Sequence, residues 1–416
     1  MPIMKILVLA GGLGVMRGTE RMIRSVAAIL RKDHEVVVYA TELGGDTERI
    51  LRDEGFRVLV GGAALDEALA FHPDIVNIHH PGWWNPKQAE ILRRFRRDGA
   101  KVVETNIFGQ VDYEAGDTLD LSIQISRWDL YRWKCVKRPL KTLGVYCPNI
   151  VETDGFRRAG GAEIAEWRRA LSLPADAFVL GRAGKFDWTA MASALEGFLA
   201  RDLRHWLVSI DDGCGSSAMP KSLKAHPRVR VVPRMSSSEE LSCFYSGCDA
   251  LLNASPFGES FGMIVAESVA CGTPVIALST PNLDNAQLEV MEPGVGGVAI
   301  ASPEYLGAAV EHIRRDFPRT AERLVRMRES IVSRYSPSVV SRQLRAIFAA
   351  LHDCDDRSEL KSRLESEGFD TSVPHREIRA SIANVIGRYP LRVRIDCLRN
   401  FSSLLKRFRQ RFIGFR

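Results

Sequence analysis

The stretch that decides the predicted fold reads Pro256-Phe257-Gly258-Glu259-Ser260-Phe261-Gly262-Met263-Ile264-Val265-Ala266-Glu267. An apolar segment typical of a buried strand, residues 249–253, comes directly before it, and its own last residues are typical of a helix. A strand, a glycine-containing loop and a helix in this order form the repeating unit of a doubly wound α/β sheet. The stretch also places two carboxylates, Glu259 and Glu267, near a predicted helix start.

The predicted helix start is a candidate anion site. The first backbone N–H groups of a helix lack intrahelical acceptors and bind phosphate readily. The residues expected to present such groups are Ser260, Phe261, Gly262 and Met263. Gly262 would allow the backbone to approach a ligand closely. Glu259 is expected in the loop at the mouth of this site, with Glu267 about two turns into the helix.

Strand–loop–helix patterns of the same kind occupy both halves of the chain. They begin with the apolar segment 6–10 and its Gly-rich loop, are interrupted at Pro148 and Asn149, and restart after Pro174. We therefore predict an α/β protein of the GT-B type, with two doubly wound Rossmann-like domains, residues 1–150 and 151–335, facing across a cleft. A helix over residues 336–355 is predicted to return to the first domain. A basic amphipathic helical extension is predicted over residues 356–416.

Composition limits the partners and the cellular location that we predict for the protein. The chain has 416 residues, of which 45% are hydrophobic and 26% charged, as is ordinary for a globular protein. A net charge of +6 is too small by itself to indicate nucleic acid as a partner. None of the eight cysteines has zinc-binding spacing, which favours reduced thiols in the core. No apolar segment has the length of a membrane span, and the first is typical of a buried strand, so we predict a cytoplasmic protein.

Further candidate site residues lie near the ends of predicted strands, where open α/β sheets hold their ligands. His79 lies at the end of the predicted strand that starts at Asp74. Arg182 is the last residue of the predicted strand 178–182, and Lys185 follows that strand. If the ligand is a sugar nucleotide, these two cations would neutralise its diphosphate and stabilise the departing nucleotide. Glu267 would accept hydrogen bonds from the ribose hydroxyls. Glu259 would bind sugar hydroxyls or stabilise positive charge at the anomeric carbon.

Several motifs together resemble one known family. They are the Glu259/Glu267 pair with Ser-Phe-Gly after the first Glu, Gly272-Thr273-Pro274-Val275, Gly181-Arg182, Asp211-Asp212-Gly213, Gly18 and His79. On these motifs the chain resembles the retaining GT-B glycosyltransferases of glycosyltransferase family 4, the glycosyl transferases group 1. The resemblance covers about residues 3 to 350 and is strongest over 178–290. It departs from the family in the spacing of Lys185, three positions after Arg182, and in the absence of glycine from residues 280–289.

The resemblance implies transfer of a sugar from a nucleotide donor, such as a UDP- or GDP-sugar, with retention at the anomeric carbon. In the family's favoured description the leaving phosphate helps to deprotonate the acceptor on the same face of the sugar. Gly18 would then touch the donor phosphate, and His79 would lie beside the transferred sugar, with His79 and Glu259 as the catalytic residues. No Asp-x-Asp motif is placed to carry a metal, so neither a metal nor another cofactor is expected.

The last segment, from Arg388, combines basic and apolar residues. Its basic residues are Arg388, Arg392, Arg394, Arg399, Lys406, Arg407, Arg409, Arg411 and Arg416. Such a segment favours an anionic membrane surface, here the inner face of a bacterial membrane. A helix docked on the protein body and a disordered basic tail are the alternatives.

The leading functional hypothesis is a hexosyltransferase-type enzyme acting on a glycan or lipid-linked acceptor, as in bacterial cell-surface polysaccharide or glycolipid synthesis. One alternative is a GT-B epimerase that acts on a nucleotide sugar without any acceptor. The other is a catalytically silent GT-B binding protein. Nucleic acid is not expected as a partner in any of them.

Overall fold

The computed structural model describes residues 2–16, 18–80, 86–110, 118–135, 142–211, 218–235 and 237–401. These residues form two compact units. Unit 1 takes the described residues of Met1–Ile150 and Ser338–Pro374, and unit 2 takes those of Val151–Pro337 and His375–Arg416. Each unit is built around its own sheet.

Unit 1 contains a seven-stranded sheet in the order β3-β2-β1-β4-β5-β6-β7, and its strands pair in parallel. Its strands are β1 (Lys5–Ala10), β2 (Glu35–Ala40), β3 (Arg57–Val60), β4 (Ile75–His80), β5 (Lys101–Asn106), β6 (Leu121–Gln124) and β7 (Leu143–Tyr146). The helices between them are α1 (Gly18–Leu30), α2 (Asp46–Asp53), α3 (Leu65–Ala70), α4 (Pro86–Arg97) and α5 (Arg127–Cys135), with a 3-10 turn at Gly62–Ala64.

Unit 2 contains a six-stranded parallel sheet in the order β10-β9-β8-β11-β12-β13. Its strands are β8 (Phe178–Arg182), β9 (His205–Ile210), β10 (Val229–Val232), β11 (Ala250–Asn253), β12 (Val275–Leu278) and β13 (Gly297–Ile300). Its helices are α6 (Gly161–Ala170), α7 (Trp188–Arg201), α8 (Lys221–Lys224), α9 (Ser238–Gly247), α10 (Met263–Ala270), α11 (Gln287–Met291), α12 (Leu306–Asp316) and α13 (Ala321–Tyr335), with a 3-10 turn at Pro303–Tyr305.

The chain after α13 contributes to both units. In unit 1 lie α14 (Pro337–Asp353), apart from its first residue, and α15 (Arg357–Ser366), while α16 (His375–Ala383) and α17 (Leu391–Phe401) lie in unit 2. Lys101 secures the end of α14, because its ammonium donates to the carbonyl oxygens of His352 (2.9 Å) and Cys354 (2.7 Å). The region predicted as one extension from residue 356 is thus divided between two units.

The strands are almost continuously apolar because helices cover both faces of each sheet. In unit 1 one face packs on α1 and α14, through side chains such as Val26 and Phe348, and the other packs on α3 and α4. In unit 2 one face packs on α7 and α12. Two doubly wound parallel sheets confirm the predicted α/β class.

Each strand order reverses direction at one place. In unit 1 the order changes direction between β1 and β4, and in unit 2 between β8 and β11. In open α/β sheets the crevice outside the carboxyl ends of such strands is the ligand site. His79 lies near the end of β4, and Arg182 is the last residue of β8.

Candidate functional site

Three loops of unit 2 converge beyond the carboxyl ends of β8, β11 and β12. Gly184, with φ +69°, lies after β8, and a Cβ added there would be 3.2 Å from Cδ1 of Ile264 on α10. Gly258, with φ +72°, lies after β11, and its added Cβ would be 1.7 Å from the carbonyl oxygen of Asp284 in the loop after β12. The approach at Gly258 leaves no room for a side chain, so glycine there allows the loops after β11 and β12 to meet, whereas the approach at Gly184 is tight against the flexible end of Ile264.

The helix that follows β11 begins close to where the sequence predicts, although Ser260 and Phe261, two of the four residues expected at its start, precede it. It starts at Met263, preceded by Gly262 at φ 95°, and no side chain caps its first turn. The first N–H groups of α10 therefore point out of the helix without a side-chain acceptor, as in anion-binding helix termini.

Glu259 lies in the loop at this helix start and is held from both sides. Its Oε1 accepts a hydrogen bond from Asn253 Nδ2 (3.0 Å), at the end of β11. Its backbone N–H donates to Gln287 Oε1 (3.3 Å), and its carbonyl oxygen accepts from the N–H of Ala286 (2.9 Å). Burial raises the pKa of Glu259 to about 7, against the opposing effects of Asn253 and the Lys185 charge. The carboxyl group therefore titrates near neutral pH.

This pKa predicts a pH-dependent stability. Because folding raises the pKa of Glu259 from 4.5 to about 7, the folded state favours the protonated form, and stability is lost as pH rises through that interval. Glu259→Gln should abolish this loss, worth on the order of 1–3 kcal/mol between pH 5 and 8.5. Urea unfolding at both pH values measures it, with exposed Glu166→Gln as the control. Equal pH dependence in wild type and Glu259→Gln would contradict the prediction.

Glu267 lies in the second turn of α10 and is buried, with 2% of its surface exposed. Its Oε2 accepts a hydrogen bond from the hydroxyl of Tyr245 (2.8 Å), a fully buried residue of α9. The carboxylate is thus fixed in orientation from inside the unit. Its predicted contact with ribose hydroxyls stays a prediction.

Arg182 is buried at the end of β8, with 2% of its surface exposed. Its guanidinium donates to the carbonyl oxygen of Ile210 (2.7 Å) and to that of Gly184, and lies 5.3 Å from the ring centre of Phe186 and 5.1 Å from that of Trp188. These contacts join the ends of β8 and β9.

Lys185, by contrast, is exposed in the loop after β8, and its charge acts on Glu259. Of the two predicted cations, the structure therefore presents Lys185 to solvent beside the convergent loops and uses Arg182 to hold the loop.

Unit 1 carries the two remaining predicted residues. His79 is 4% exposed in β4, and among the described residues neither ring nitrogen has a hydrogen-bond partner. Burial lowers the pKa of His79 to about 3, so the ring is neutral at physiological pH. Buried polar atoms without partners are rare in folded proteins, and a bound ligand, ion or water is one of the explanations for them. Gly18 is exposed at the first residue of α1, after the loop that follows β1.

A buried polar network lies at the carboxyl ends of β5 and β6. Glu104 Oε1 accepts from the hydroxyl of Ser122 and from Asn106 Nδ2 (3.3 Å), and Ser122 Oγ accepts from Gln124 Nε2 (2.8 Å). In the described structure the side-chain oxygens of Asn106 and Gln124 have no donor. The sequence analysis missed this network, although polar residues that interrupt apolar strands are its visible signal.

The aromatic residues of α5 are buried: Trp128, Tyr131 and Trp133 are each at most 3% exposed. Asn285, in the loop after β12, accepts from the N–H of Thr280 (2.8 Å) and supports its own loop.

Two motifs lie partly or wholly outside the described residues. They are the turn at Asp212 and Gly213 and the basic residues beyond 401. Within the described ranges, no group of three or more His, Cys, Asp or Glu side chains could hold a metal ion, and no helix is both long and apolar enough to span a membrane. Metal independence stays a prediction.

Comparison with known proteins relates part of unit 2 to glycosyltransferases. Residues 190–316, which include Glu259 and Glu267, match the family model described as glycosyl transferases group 1. The D-inositol 3-phosphate glycosyltransferase of Thermomonospora curvata is 34% identical over 181 residues, which are 40% of this chain and 40% of that protein. The chain thus matches about two fifths of the length of this curated relative.

Solved structures extend the likeness in fold to most of the chain. The Anabaena protein HepE in complex with UDP-glucose superposes with a TM-score of 0.66 at 16% identity, over 83% of this chain and 100% of that one. A glycosyltransferase from Rickettsia africae superposes with a TM-score of 0.69 at 14% identity, over 84% and 99%. The fold is that of the GT-B glycosyltransferases.

Proposed function

We propose that this protein is a retaining glycosyltransferase that moves a sugar from a nucleotide-sugar donor to a glycan or lipid-linked acceptor. The observation that carries the proposal is the loop between β11 and α10. It places Glu259 beside an uncapped helix start and Glu267 inside the helix, within the segment that matches the glycosyl transferases group 1. A bacterial cell-surface polysaccharide or glycolipid is the proposed destination of the sugar.

The donor would be held by its diphosphate at the start of α10. Backbone N–H groups of Ser260 to Met263 supply donors there, aided by the partial positive charge of the helix terminus. Lys185 adds an exposed cation at the rim. Arg182 would act indirectly, by fixing the loop that carries Lys185. Glu267 would bind the ribose. For Gly18, in unit 1, a contact with donor phosphate is proposed from the family resemblance alone.

The reaction requires stabilisation of positive charge at the anomeric carbon and of negative charge on the leaving phosphate. Glu259 supplies the former when ionised, and the cations with the helix terminus supply the latter. The neutral His79 ring has both a donor and an acceptor nitrogen for sugar hydroxyls. These residues need no metal for the charges that develop.

The acceptor would bind to unit 1. The side-chain oxygens of Asn106 and Gln124 are buried without a donor in the described structure, and an opening beside them would offer both as acceptors to hydroxyl groups of a polyhydroxylated ligand. A curated relative is named for D-inositol 3-phosphate, and this compound belongs in the acceptor screen beside glycans and lipid-linked sugars.

A donor screen tests the proposal. Thermal shift with UDP-, GDP- and ADP-sugars should raise the unfolding temperature for one nucleotide, because a ligand that binds the folded state stabilises it. With that donor and an acceptor, the product should keep the donor's anomeric configuration by NMR. Product formed from the donor without an acceptor would favour the epimerase, and binding without turnover would favour the silent binding protein. Absence of binding by every donor would refute all three.

We also propose that α17 contacts an anionic membrane surface. Leu391 and Ile395, one helical turn apart, are 71% and 40% exposed, and Arg392 and Arg394 are exposed beside them. An exposed apolar pair flanked by cations suits an acidic lipid interface.

Vesicle co-sedimentation measures this contact. The wild type should bind phosphatidylcholine vesicles that contain phosphatidylglycerol more than pure phosphatidylcholine vesicles, and Leu391→Ser with Ile395→Ser should remove the difference. Leu203→Ser is the matched control, because Leu203 is an 83% exposed apolar residue elsewhere in unit 2. Equal sedimentation of the wild type with both vesicle types would contradict membrane contact.

A further inference from the structure

The chain returns to unit 2 after α15 and is attached there at three neighbouring points. Ile386 pairs with β13, with its N–H donating to the carbonyl oxygen of Ala299 (2.8 Å) and its carbonyl accepting from Ala301 (3.0 Å). Gly387, at φ 92°, lies against the ring of Tyr305, where an added Cβ would be 2.2 Å from the nearest ring carbon. Tyr389 then reaches Ser279, just past β12, with 2.9 Å between the hydroxyl oxygens. The segment 384–389 is therefore seated on the sheet rather than trailing from it.

A chain of hydrogen bonds runs from Glu259 to this segment. The Glu259 N–H donates to Gln287 Oε1 (3.3 Å), and Gln287 Nε2 donates to Asn285 Oδ1 (3.2 Å). Asn285 Nδ2 donates to Ser279 Oγ (3.4 Å). The Tyr389 hydroxyl donates to the carbonyl oxygen of Ile382 (3.1 Å). Because its one proton is used there, Tyr389 Oη accepts from the Ser279 hydroxyl.

With the donors assigned in this way every group in the chain donates in the same direction, although the Ser279 hydroxyl also lies 3.4 Å from Asn285 Oδ1, and the interior of the chain is buried. Ser279, Asn285 and Gln287 are at most 5% exposed. Hydrogen bonds aligned head to tail in such surroundings strengthen one another. Loss of the Tyr389 hydroxyl removes the donor to the Ile382 carbonyl oxygen and leaves the Ser279 hydroxyl with the longer contact to Asn285 Oδ1 (3.4 Å). At the far end, Tyr389 donates to the carbonyl oxygen of Ile382. This carbonyl lies in the last turn of α16, where carbonyl oxygens have no N–H donor within the helix.

The loop between β12 and α11 has a particular need for this support. Residues 279–289 contain no glycine, and this loop nevertheless packs against the backbone of Gly258. Besides Asn285, the loop is held by Gln287 Nε2, which also donates to the Leu278 carbonyl oxygen (2.9 Å). Outside the loop, the backbone N–H of Ser279 donates to the carbonyl oxygen of Ile300 (2.9 Å), and its hydroxyl bonds to the hydroxyl of Tyr389 (2.9 Å).

We propose that Tyr389 is a positioning residue for the candidate active site, and that the C-terminal segment holds Glu259 in place through Ser279, Asn285 and Gln287. Tyr389 touches no ligand in this proposal. It rests on the proposed function only in regarding Glu259 as the carboxylate of the site.

Hydrogen exchange tests the proposal without any substrate. Tyr389→Phe removes one hydroxyl and keeps the ring. Amide exchange measured by mass spectrometry should accelerate about fivefold in peptides that cover 256–263 and 279–288, and stay unchanged in β9, because one buried hydrogen bond is lost. Tyr305→Phe is the matched control, since it removes a tyrosine hydroxyl on the same side of unit 2. Ser279→Ala should reproduce the effect, and the double variant should add nothing further.

Kinetics provide the second measurement once a donor is found. Tyr389→Phe should lower kcat about fivefold with little change in the KM for the donor, because the carboxylate rather than the nucleotide site is displaced. Exchange in Tyr389→Phe equal to that in Tyr305→Phe would overturn the proposal. If no nucleotide sugar is turned over, the proposed function fails, whereas the exchange experiment still decides on Tyr389.

Discussion

Glu259→Gln is expected to lower kcat for sugar transfer by about 10²–10³-fold while leaving the KM for the donor within a few fold. The amide keeps the size of the side chain and an oxygen for the Asn253 hydrogen bond, but it has no charge to stabilise the anomeric carbon. Initial rates over a range of donor concentrations measure the effect. Glu166→Gln, a substitution at an exposed carboxylate of α6, should have no effect.

The pH profile separates this role from a structural one. If the ionised carboxylate is required, kcat/KM of the wild type should rise with pH through about 7, the pKa that burial gives to Glu259. Glu259→Gln should lose this limb along with its activity. A variant with wild-type kcat would remove Glu259 from the mechanism.

Gly258→Ala is expected to be the most damaging conservative change in unit 2. The new methyl group would lie 1.7 Å from the carbonyl oxygen of Asp284, in a backbone conformation that L-residues rarely adopt. The positive φ costs about 1–2 kcal/mol, and relief of the clash should bring the total to about 3 kcal/mol or more. Denaturant unfolding measures the loss of stability.

Gly294 provides a matched comparison. Its φ is +90°, but a Cβ added there meets no atom within 4 Å, so Gly294→Ala should cost only the conformational part. The difference between the two variants isolates the contact between the loops after β11 and β12. Equal losses of stability would show that this contact is dispensable.

The opening stretch was interpretable from sequence because its information is local. A strand, a glycine turn and an apolar helix follow one another within twenty residues, and the two carboxylates take their places from that order. The start of α10 next to Gly262 is therefore close to where the sequence predicts it. The doubly wound class of both sheets follows from the same repeated pattern.

The partners of these residues were not predictable, because they come from distant parts of the chain. Tyr245 meets Glu267 and Gln287 meets Glu259 only when separate helices and loops pack together. Arg182 illustrates the same limit: its place at a strand end is a local property. The direction of its guanidinium is set by the carbonyl of Ile210 and by two aromatic rings.

The return of the chain to unit 2 has a practical consequence for dissecting the protein. Neither unit is one continuous segment of the sequence, because each is completed by residues that come after a segment of the other unit. A truncation after residue 355 would delete α15, whose Leu360 and Leu364 belong to the core of unit 1, together with the Tyr389 contact in unit 2. Producing unit 2 separately would require joining residue 337 to residue 375 through a designed linker.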